Sequence, residues 1–192
     1  ENIFEKSNFY LNLSLYFNPK FIFNKELKAD NFLNMQKYKE AQRIYENFEK
    51  ENFIYFWNSI KKISLIKTKL ENDENSLLYL EKNFNNIKNP DFKIFLDLAN
   101  IFKNFEKYNK SKKYYSKVLN SMEQDHSLYP VVLFRRGASY ERIGKWEESD
   151  KDLLQSLKLN PNAPHVLNYL AYSWLERDYN LAEAMKMLEI AY

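Results

Sequence analysis

The sequence predicts an all-α protein built as a solenoid of antiparallel helix pairs. Glycine and proline are scarce, with 2 and 5 copies in 192 residues, whereas a β-sandwich or barrel needs a turn signal about every 8–12 residues. Apolar residues make up 45% of the chain and aromatic residues 17%, which is enough to form a core. Small residues also recur with a period near 35, and a period of about 20–50 residues is typical of solenoids.

Two series of small residues set the register of the repeats. With Pro130 taken as position 1 of one repeat, small residues recur at positions 8 and 20, at separations of 34 to 38 residues. The position-8 series is Ala29, Ser64, Ala99, Gly137 and Ala171, and the position-20 series is Ser7, Ala41, Ser76, Ser111, Ser149 and Ala184. Helices approach closely only where a side chain is small. Each repeat is therefore predicted to be a helix pair, A then B, that crosses at these positions.

The elements follow in chain order from this register. The chain begins in the B helix of a truncated repeat (1–21), predicted over 4–17 and followed by Pro19. The complete repeats are 22–53, 54–90, 91–127, 128–163 and 164–192, which together form a single array. Their A and B helices are predicted over 22–34 and 38–50, 55–70 and 74–86, 91–105 and 109–121, 128–142 and 146–158, and 164–177 and 181–192. Pro164 suits the first turn of its helix, where a missing N–H costs little.

The stretch "GASYERIG" contains both glycines of the chain, and each has a predicted structural role. Gly137, at position 8, is predicted to lie where helix A meets its neighbours, so a larger residue there would overpack the joint. Gly144, at position 15, is placed to adopt the left-handed conformation that ends helix A. Other repeats carry Gln, Glu or Asp at position 15.

The segment "LFRRGASYERIGKWEESDKDLLQSLKLNP" and the following "LNYLAYSW" and "NLAEAMKML" resemble the tetratricopeptide repeat of large bacterial proteins. The resemblance rests on the small residues above together with Tyr140, Trp146, Pro161 and Trp174. It implies a right-handed superhelix whose concave groove is lined mainly by A helices and binds a protein or peptide. The last B helix has no polar capping helix after it, so further repeats are expected to follow.

The apolar positions of the pattern, Trp146 included, are predicted to be core residues, because periodic apolar residues indicate a buried face. The acidic cluster of Glu147, Glu148, Asp150 and Asp152 is predicted to stabilise the positive end of a helix dipole and to face water. A metal or acid–base role for this cluster is the less favoured interpretation.

The residue inventory predicts a protein that is not an enzyme and holds no metal or cofactor. The chain has no cysteine and two histidines, His126 and His165. Neither histidine belongs to a HExxH motif, and the sequence has no glycine-rich phosphate loop or nucleophile elbow. A catalytic or metal site would need three or more converging ligands.

The resemblance places candidate binding residues on the A helices, at positions 2, 5, 6, 9, 12 and 13. The predicted groove residues are Lys61, Asn100, Arg135, Asn168, Tyr169 and Tyr172. Amides suit a peptide backbone, cations suit carboxylates and rings suit apolar side chains. Some family members hold a C-terminal carboxylate with a clamp of Lys and Asn residues. Lys61 and Arg135 match that clamp, but Leu65, Asp97 and Val131 do not, so the clamp is predicted to be absent.

The leading hypothesis is a non-enzymatic scaffold that binds a partner protein or peptide in the groove. One alternative is an RNA-binding helical-repeat array, which would read bases with paired polar side chains at fixed positions. That regularity is missing and the net charge is only +3, so no nucleic-acid partner is predicted. Another alternative is an accessory array of a larger enzyme. No apolar run reaches the length of a membrane span, and either the bacterial cytoplasm or the periplasm fits the sequence.

Overall fold

The computed structural model describes residues 2–192, which form eleven α-helices and contain no strand. The chain divides into two compact units, one ending at Lys88 and the other spanning Asn89–Tyr192. The first unit contains α1 (Asn2–Phe17), α2 (Ile22–Asn34), α3 (Tyr38–Tyr45), α4 (Phe53–Leu70) and α5 (Asp73–Phe84). The second contains α6 (Phe92–Asn104), α7 (Tyr108–Asn120), α8 (Tyr129–Glu141), α9 (Trp146–Leu159), α10 (Pro164–Leu175) and α11 (Leu181–Ala191).

The predicted helices are confirmed to within two residues at each end, with one exception. Helix α3 ends at Tyr45 rather than near residue 50. Beyond this point the amides of Asn47 and Phe48 bond to carbonyls three residues back, at 3.1 and 3.2 Å. The Asn47 side chain donates to the Arg43 carbonyl at 2.6 Å, and Phe48 turns into the core, where it is 7% exposed. These local bonds replace the helical ladder and end the helix early.

The small residues lie at the A–B crossings, as the register predicts. In the α4–α5 pair, the Ser76 hydroxyl donates to the Ser64 carbonyl at 2.7 Å. In the α6–α7 pair, the Ser111 hydroxyl donates to the Ala99 carbonyl at 2.9 Å. A position-20 serine therefore bonds the position-8 backbone of its partner helix in both units. Small side chains allow the approach, and the hydroxyl adds a bond between the two helices.

Gly137 occupies a close joint of the same kind, between α8 and α9. A β-carbon at this position would lie 3.0 Å from Leu153 Cγ and 3.2 Å from Asp152 Cβ, both on α9. Leu153 is fully buried. The prediction that Gly137 marks a tight helix contact is confirmed.

Position 15 ends helix A in a left-handed conformation in four of the five repeats. Gly144 has φ +72°, and Gln36, Glu106 and Asp178 have φ values between 51° and 58°. This conformation is the usual helix stop before the chain turns into the next helix. The exception is Glu71, with φ −124°, because Asn72 follows at once as the N-cap of α5 and accepts from the Asn75 amide at 2.8 Å.

Each unit has its own core built from the predicted apolar positions. The core of the first unit contains Ala29, Ala41, Tyr45, Phe48, Ile63 and Ile66. The core around α9 to α11 contains Leu153, Leu157, Ala163, Val166, Leu167, Leu170, Ala171, Trp174, Ala184 and Met187. The prediction is wrong for Trp146, which is 40% exposed. It is the first residue of α9, and its ring lies 5.0 Å from the Arg177 guanidinium at the surface.

The acidic cluster of α9 does not face water as a whole, which corrects the sequence prediction. Glu147 and Glu148 lie in the first turn of the helix, as expected. Asp152 is 4% exposed and accepts two hydrogen bonds from Arg136, at 2.6 and 2.7 Å. Asp150 accepts from Arg177 at 2.8 Å. The helical period turns Asp152 toward α8 and Asp150 toward the residues just after α10, where Arg136 and Arg177 pair with them.

Candidate functional site

A polar network connects α6, α7 and α8 on the predicted groove face of the second unit. Asn100 Oδ1 accepts from the Tyr115 hydroxyl at 2.7 Å and from Arg135 Nη1 at 2.9 Å. Burial raises the pKa of Tyr115 to about 12, although the positive charge of Arg135 opposes this shift. Two predicted binding residues, Asn100 and Arg135, are therefore held in place by each other and by a buried tyrosine.

The first unit repeats this arrangement with a change of charge. Asp30 accepts from the Tyr45 hydroxyl and from Lys62 Nζ, the latter at 2.8 Å. The acceptor is at position 9, the tyrosine at position 24 and the cation at position 6 of the next repeat, as in the second unit. Burial and the Asp30 hydrogen bond raise the pKa of Tyr45. The difference is that a carboxylate neutralises Lys62, whereas a neutral amide faces Arg135.

Next to Asn100, a pocket of about 220 Å³ opens between α6, α7, α8 and α10. Its cationic lining residues are Lys103, Arg135 and Arg142, and its aromatic ones are Tyr108, Phe134 and Tyr169. The remaining lining residues are Ala138 and Ser139, so this lining includes no carboxylate. We refer to this site as the cationic pocket.

A larger cleft of about 450 Å³ adjoins the cationic pocket and shares Arg142 and Tyr169 with it. Its lining, carried by α8 and α10 and the residues just after them, is Glu141, Arg142, His165, Asn168, Tyr169, Tyr172, Ser173 and Glu176. The Tyr169 hydroxyl donates to Glu141 Oε2 at 2.8 Å. Burial and this bond raise the pKa of Tyr169. We refer to this site as the α8–α10 cleft.

Two polar atoms of the α8–α10 cleft have no hydrogen-bond partner among residues 2–192. They are Asn168 Oδ1 and Ser173 Oγ, and both atoms are buried. Nearby, the Tyr172 side chain is 51% exposed. A buried acceptor without a partner is costly unless another molecule supplies a donor. The cleft therefore combines an unmet hydrogen-bonding demand with an accessible aromatic ring.

The structure brings together five of the six predicted groove residues. Asn168, Tyr169 and Tyr172 line the α8–α10 cleft, while Arg135 lines the adjoining pocket and bonds to Asn100. Lys61 belongs to the first unit. Sequence reasoning omitted Glu141 and Glu176 from the groove, although they occupy positions 12 and 13, which it had assigned to this face.

The structure gives no sign of a metal centre in the part of the chain it describes. Residues 2–192 contain no group of three or more His, Asp or Glu side chains that could hold a metal ion. His165 packs its ring against Phe134, with centroids 5.0 Å apart. His126 accepts from the Leu128 amide at 3.1 Å. Within the same residues, no helix is long and apolar enough to cross a membrane.

The family model of the tetratricopeptide repeat matches residues 131–163, which include most of α8, all of α9 and the connection to α10. Residues 131–163 therefore match one tetratricopeptide repeat. The chain has a fold similar to that of MamA, with a TM-score of 0.63 and 19% identity over 88% of this chain and 94% of MamA. It is also similar to YrrB, a TPR protein with an unusual peptide-binding site, with a TM-score of 0.60 and 11% identity over 94% and 90% of the two chains.

Two further comparisons involve larger proteins. A chain of the APC/C hetero-tetramer Cut9–Hcn1 matches with a TM-score of 0.56 and 14% identity, over 99% of this chain and 40% of that one. A MATH and LRR domain-containing protein of Plasmodium falciparum (isolate 3D7) is 29% identical over 161 residues. That match covers 78% of this chain but only 2% of the length of the relative. The bacterial origin expected from residues 128–192 stays a prediction.

Proposed function

We propose that the chain is a non-enzymatic interaction scaffold and that its α8–α10 cleft binds an extended segment of a partner protein. The observation that carries the proposal is the open cleft itself, which is lined by the half-exposed Tyr172 ring and by the Asn168 side chain. Asn168 Oδ1 is buried in the wall of this cleft without a partner among the described residues, and a backbone amide of a bound segment would supply the missing donor once the side chain turns outward. The binding gain is large where a buried polar group becomes satisfied.

The rest of the cleft has the chemistry expected for peptide recognition. Tyr172 offers an exposed ring for an apolar side chain, and the Asn168 amide nitrogen offers a donor for a backbone carbonyl. Tyrosine gives a large contact area at low entropic cost and is enriched where binding energy concentrates. An extended segment presents alternating donors and acceptors, which an asparagine side chain can pair in both directions.

The relatives support the same class of function. Tetratricopeptide proteins bind protein or peptide partners, and the similar protein YrrB is described as having an unusual peptide-binding site. Recognition of RNA is less well supported, because Glu141 and Glu176 line the cleft and carboxylates repel a phosphate backbone. Lys61 lies in the other unit and is not part of this proposal.

The test uses peptides selected on the 192-residue chain from a random library. Dissociation constants of the selected peptides are then measured by fluorescence polarisation for the wild type, Asn168→Ala and Tyr172→Ala. We expect each substitution to weaken binding at least fivefold, because loss of a contact worth about 1 kcal/mol or more raises Kd by that factor.

Asn120→Ala is the matched control, since Asn120 is exposed at the end of α7 and lines neither the cleft nor the cationic pocket. Its affinity should equal that of the wild type. Circular dichroism melting checks that all three variants are folded. Failure to select any peptide, or selected peptides that bind Asn168→Ala and Tyr172→Ala as tightly as the wild type, would contradict binding in this cleft.

A further inference from the structure

We infer that the cationic pocket selects an aspartate or glutamate side chain in the segment bound by the adjoining cleft. This inference rests on the proposed function and specifies its partner as an acidic peptide. The recognised group is the carboxylate of an internal residue, held by Lys103, Arg135 and Arg142.

The comparison between the two units carries the first step. In the first unit, the position-6 cation Lys62 lies 2.8 Å from the Asp30 carboxylate. In the second unit, the corresponding Arg135 bonds to the amide of Asn100. The same geometry therefore pairs the charge of Lys62 with a carboxylate and leaves the charge of Arg135 without one. Asn100 orients the guanidinium without cancelling its charge, so the Arg135 charge remains available for an external carboxylate.

The other cations add to this charge. Lys103 is exposed and makes no ion pair with any residue in 2–192. Arg142 has one carboxylate nearby, Glu141, at a long 3.6 Å, with the Arg142 side chain 60% exposed. Since Glu141 also accepts the shorter bond from Tyr169, it compensates Arg142 only weakly. Three cations thus converge on a pocket whose own lining holds no acid.

The walls of the pocket strengthen this preference. Tyr108, Phe134 and Tyr169 surround the cations with aromatic surface, which lowers the local dielectric constant and strengthens charge-assisted hydrogen bonds. Arg142 and Tyr169 also line the cleft. A bound peptide that places one side chain in the pocket can therefore continue along the cleft with its backbone. This path favours an acidic residue inside a segment, and the acids of the cleft disfavour a polyanionic nucleic acid.

The experiment compares two peptide arrays probed with the 192-residue chain. One array displays N-acetylated, C-amidated pentapeptides with glutamate at the centre, and the other has glutamine there with the same flanks. Dissociation constants of the best glutamate peptide and its glutamine partner are measured by fluorescence polarisation. We expect the glutamate peptide to bind about tenfold more tightly, the factor for a hydrogen bond to a charged group. The preference should shrink as salt rises.

Three variants separate the pocket from general charge effects. Arg135→Gln should remove most of the preference, and Lys103→Gln should reduce it about threefold, as for an exposed ion pair. Lys151→Gln removes the same charge from an exposed site on α9 and should keep the full preference. Because Lys103 makes no ion pair with the described residues, its substitution tests the pocket even if Arg135→Gln disturbs the fold.

The outcomes distinguish this inference from the proposed function. Equal binding of both peptides by the wild type overturns the acidic preference. If Asn168→Ala still weakens the binding of both peptides by the same factor, the proposed function survives that result. A preference that persists in Lys103→Gln and Arg135→Gln also overturns the inference. Displacement of the glutamate peptide by single-stranded RNA, or tighter binding of a central phosphoserine, would assign the pocket to a phosphate instead. Absence of binding to either array refutes both proposals.

Discussion

Replacing Gly137 by leucine tests the register of the helix pairs directly. A β-carbon at this position would already lie 3.0 Å from Leu153 Cγ, 3.2 Å from Leu153 Cδ2 and 3.2 Å from Asp152 Cβ. Leu153 has no exposed surface into which it could move. Asp152 is held by two hydrogen bonds from Arg136. Neither neighbour can yield without disturbing the α8–α9 contact.

The expected cost follows from two opposing effects. Overpacking a close joint by a whole side chain costs about 3 kcal/mol, the upper end of the usual range. Leucine recovers about 0.8 kcal/mol, because it forms helix more readily than glycine. The net loss is therefore about 2 kcal/mol. For a chain of this length that loss lowers the melting temperature by about 4–8 °C.

The assay is thermal unfolding followed by circular dichroism, with the double variant Gly137→Leu/Leu153→Ala as the control. Removing the Leu153 side chain vacates the space that the new leucine needs, so the two substitutions should be coupled by more than about 0.5 kcal/mol. An unchanged melting temperature for Gly137→Leu would refute the helix contact. Strict additivity in the double variant would refute its assignment to Leu153.

Three further predictions concern stability. Gln36→Gly should stabilise the fold by about 0.5–1 kcal/mol in urea titrations, because Gln36 has φ +58° and glycine adopts this conformation without strain. Glu71→Gly should destabilise the fold in the same titrations, because Glu71 has φ −124°. Ser111→Ala should lower the free energy of unfolding by about 1 kcal/mol, because it removes the hydrogen bond to the Ala99 carbonyl. Ser149→Ala should leave the free energy of unfolding unchanged, because Ser149 Oγ is buried without a partner in residues 2–192. Equal losses of stability in the two variants would contradict this contrast. Burial raises the pKa of Tyr115 from 10.0 to about 12, so the stability that this shift contributes is complete below pH 10 and is lost as pH rises through 12. The urea midpoint of the wild type should therefore fall over that range, and it should fall less in Tyr115→Phe. An identical fall in the two proteins would contradict the raised pKa.

The fold could be predicted because small residues and helix stops recur at fixed positions. A small residue, such as Ala99 or Gly137, stands at position 8, where helix A crosses helix B. Position 15 ends helix A in the left-handed conformation at Gln36, Glu106 and Asp178 as well as at Gly144. The end of α3 could not be predicted, since it depends on side-chain bonds such as Asn47 to the Arg43 carbonyl. The burial of Asp152 depends on Arg136 in a neighbouring helix, which composition alone does not indicate.

The candidate site could be predicted in part. The repeat register indicates which positions of helix A line the groove. Asn168, Tyr169 and Tyr172 occupy such positions and line the α8–α10 cleft. The polar network was missed, although the sequence contains its signal. Tyrosine at position 24 occurs in the two repeats that have Asp30 or Asn100 at position 9, whereas the other complete repeats have leucine at position 24. The shape of the cleft could not be predicted, because it depends on which side chains satisfy one another across repeats.

Photocrosslinking tests the proposed binding site most directly. The photoreactive residue p-benzoylphenylalanine replaces Tyr172 in one variant and Leu154 in another, two side chains that are 51% and 44% exposed. Tyr172 lines the α8–α10 cleft, whereas Leu154 lies on α9 outside it. Irradiation with a library-selected peptide should give a crosslinked product with the Tyr172 variant and none above background with the Leu154 variant. Equal yields from both variants, or crosslinking only at Leu154, would contradict peptide binding in the cleft.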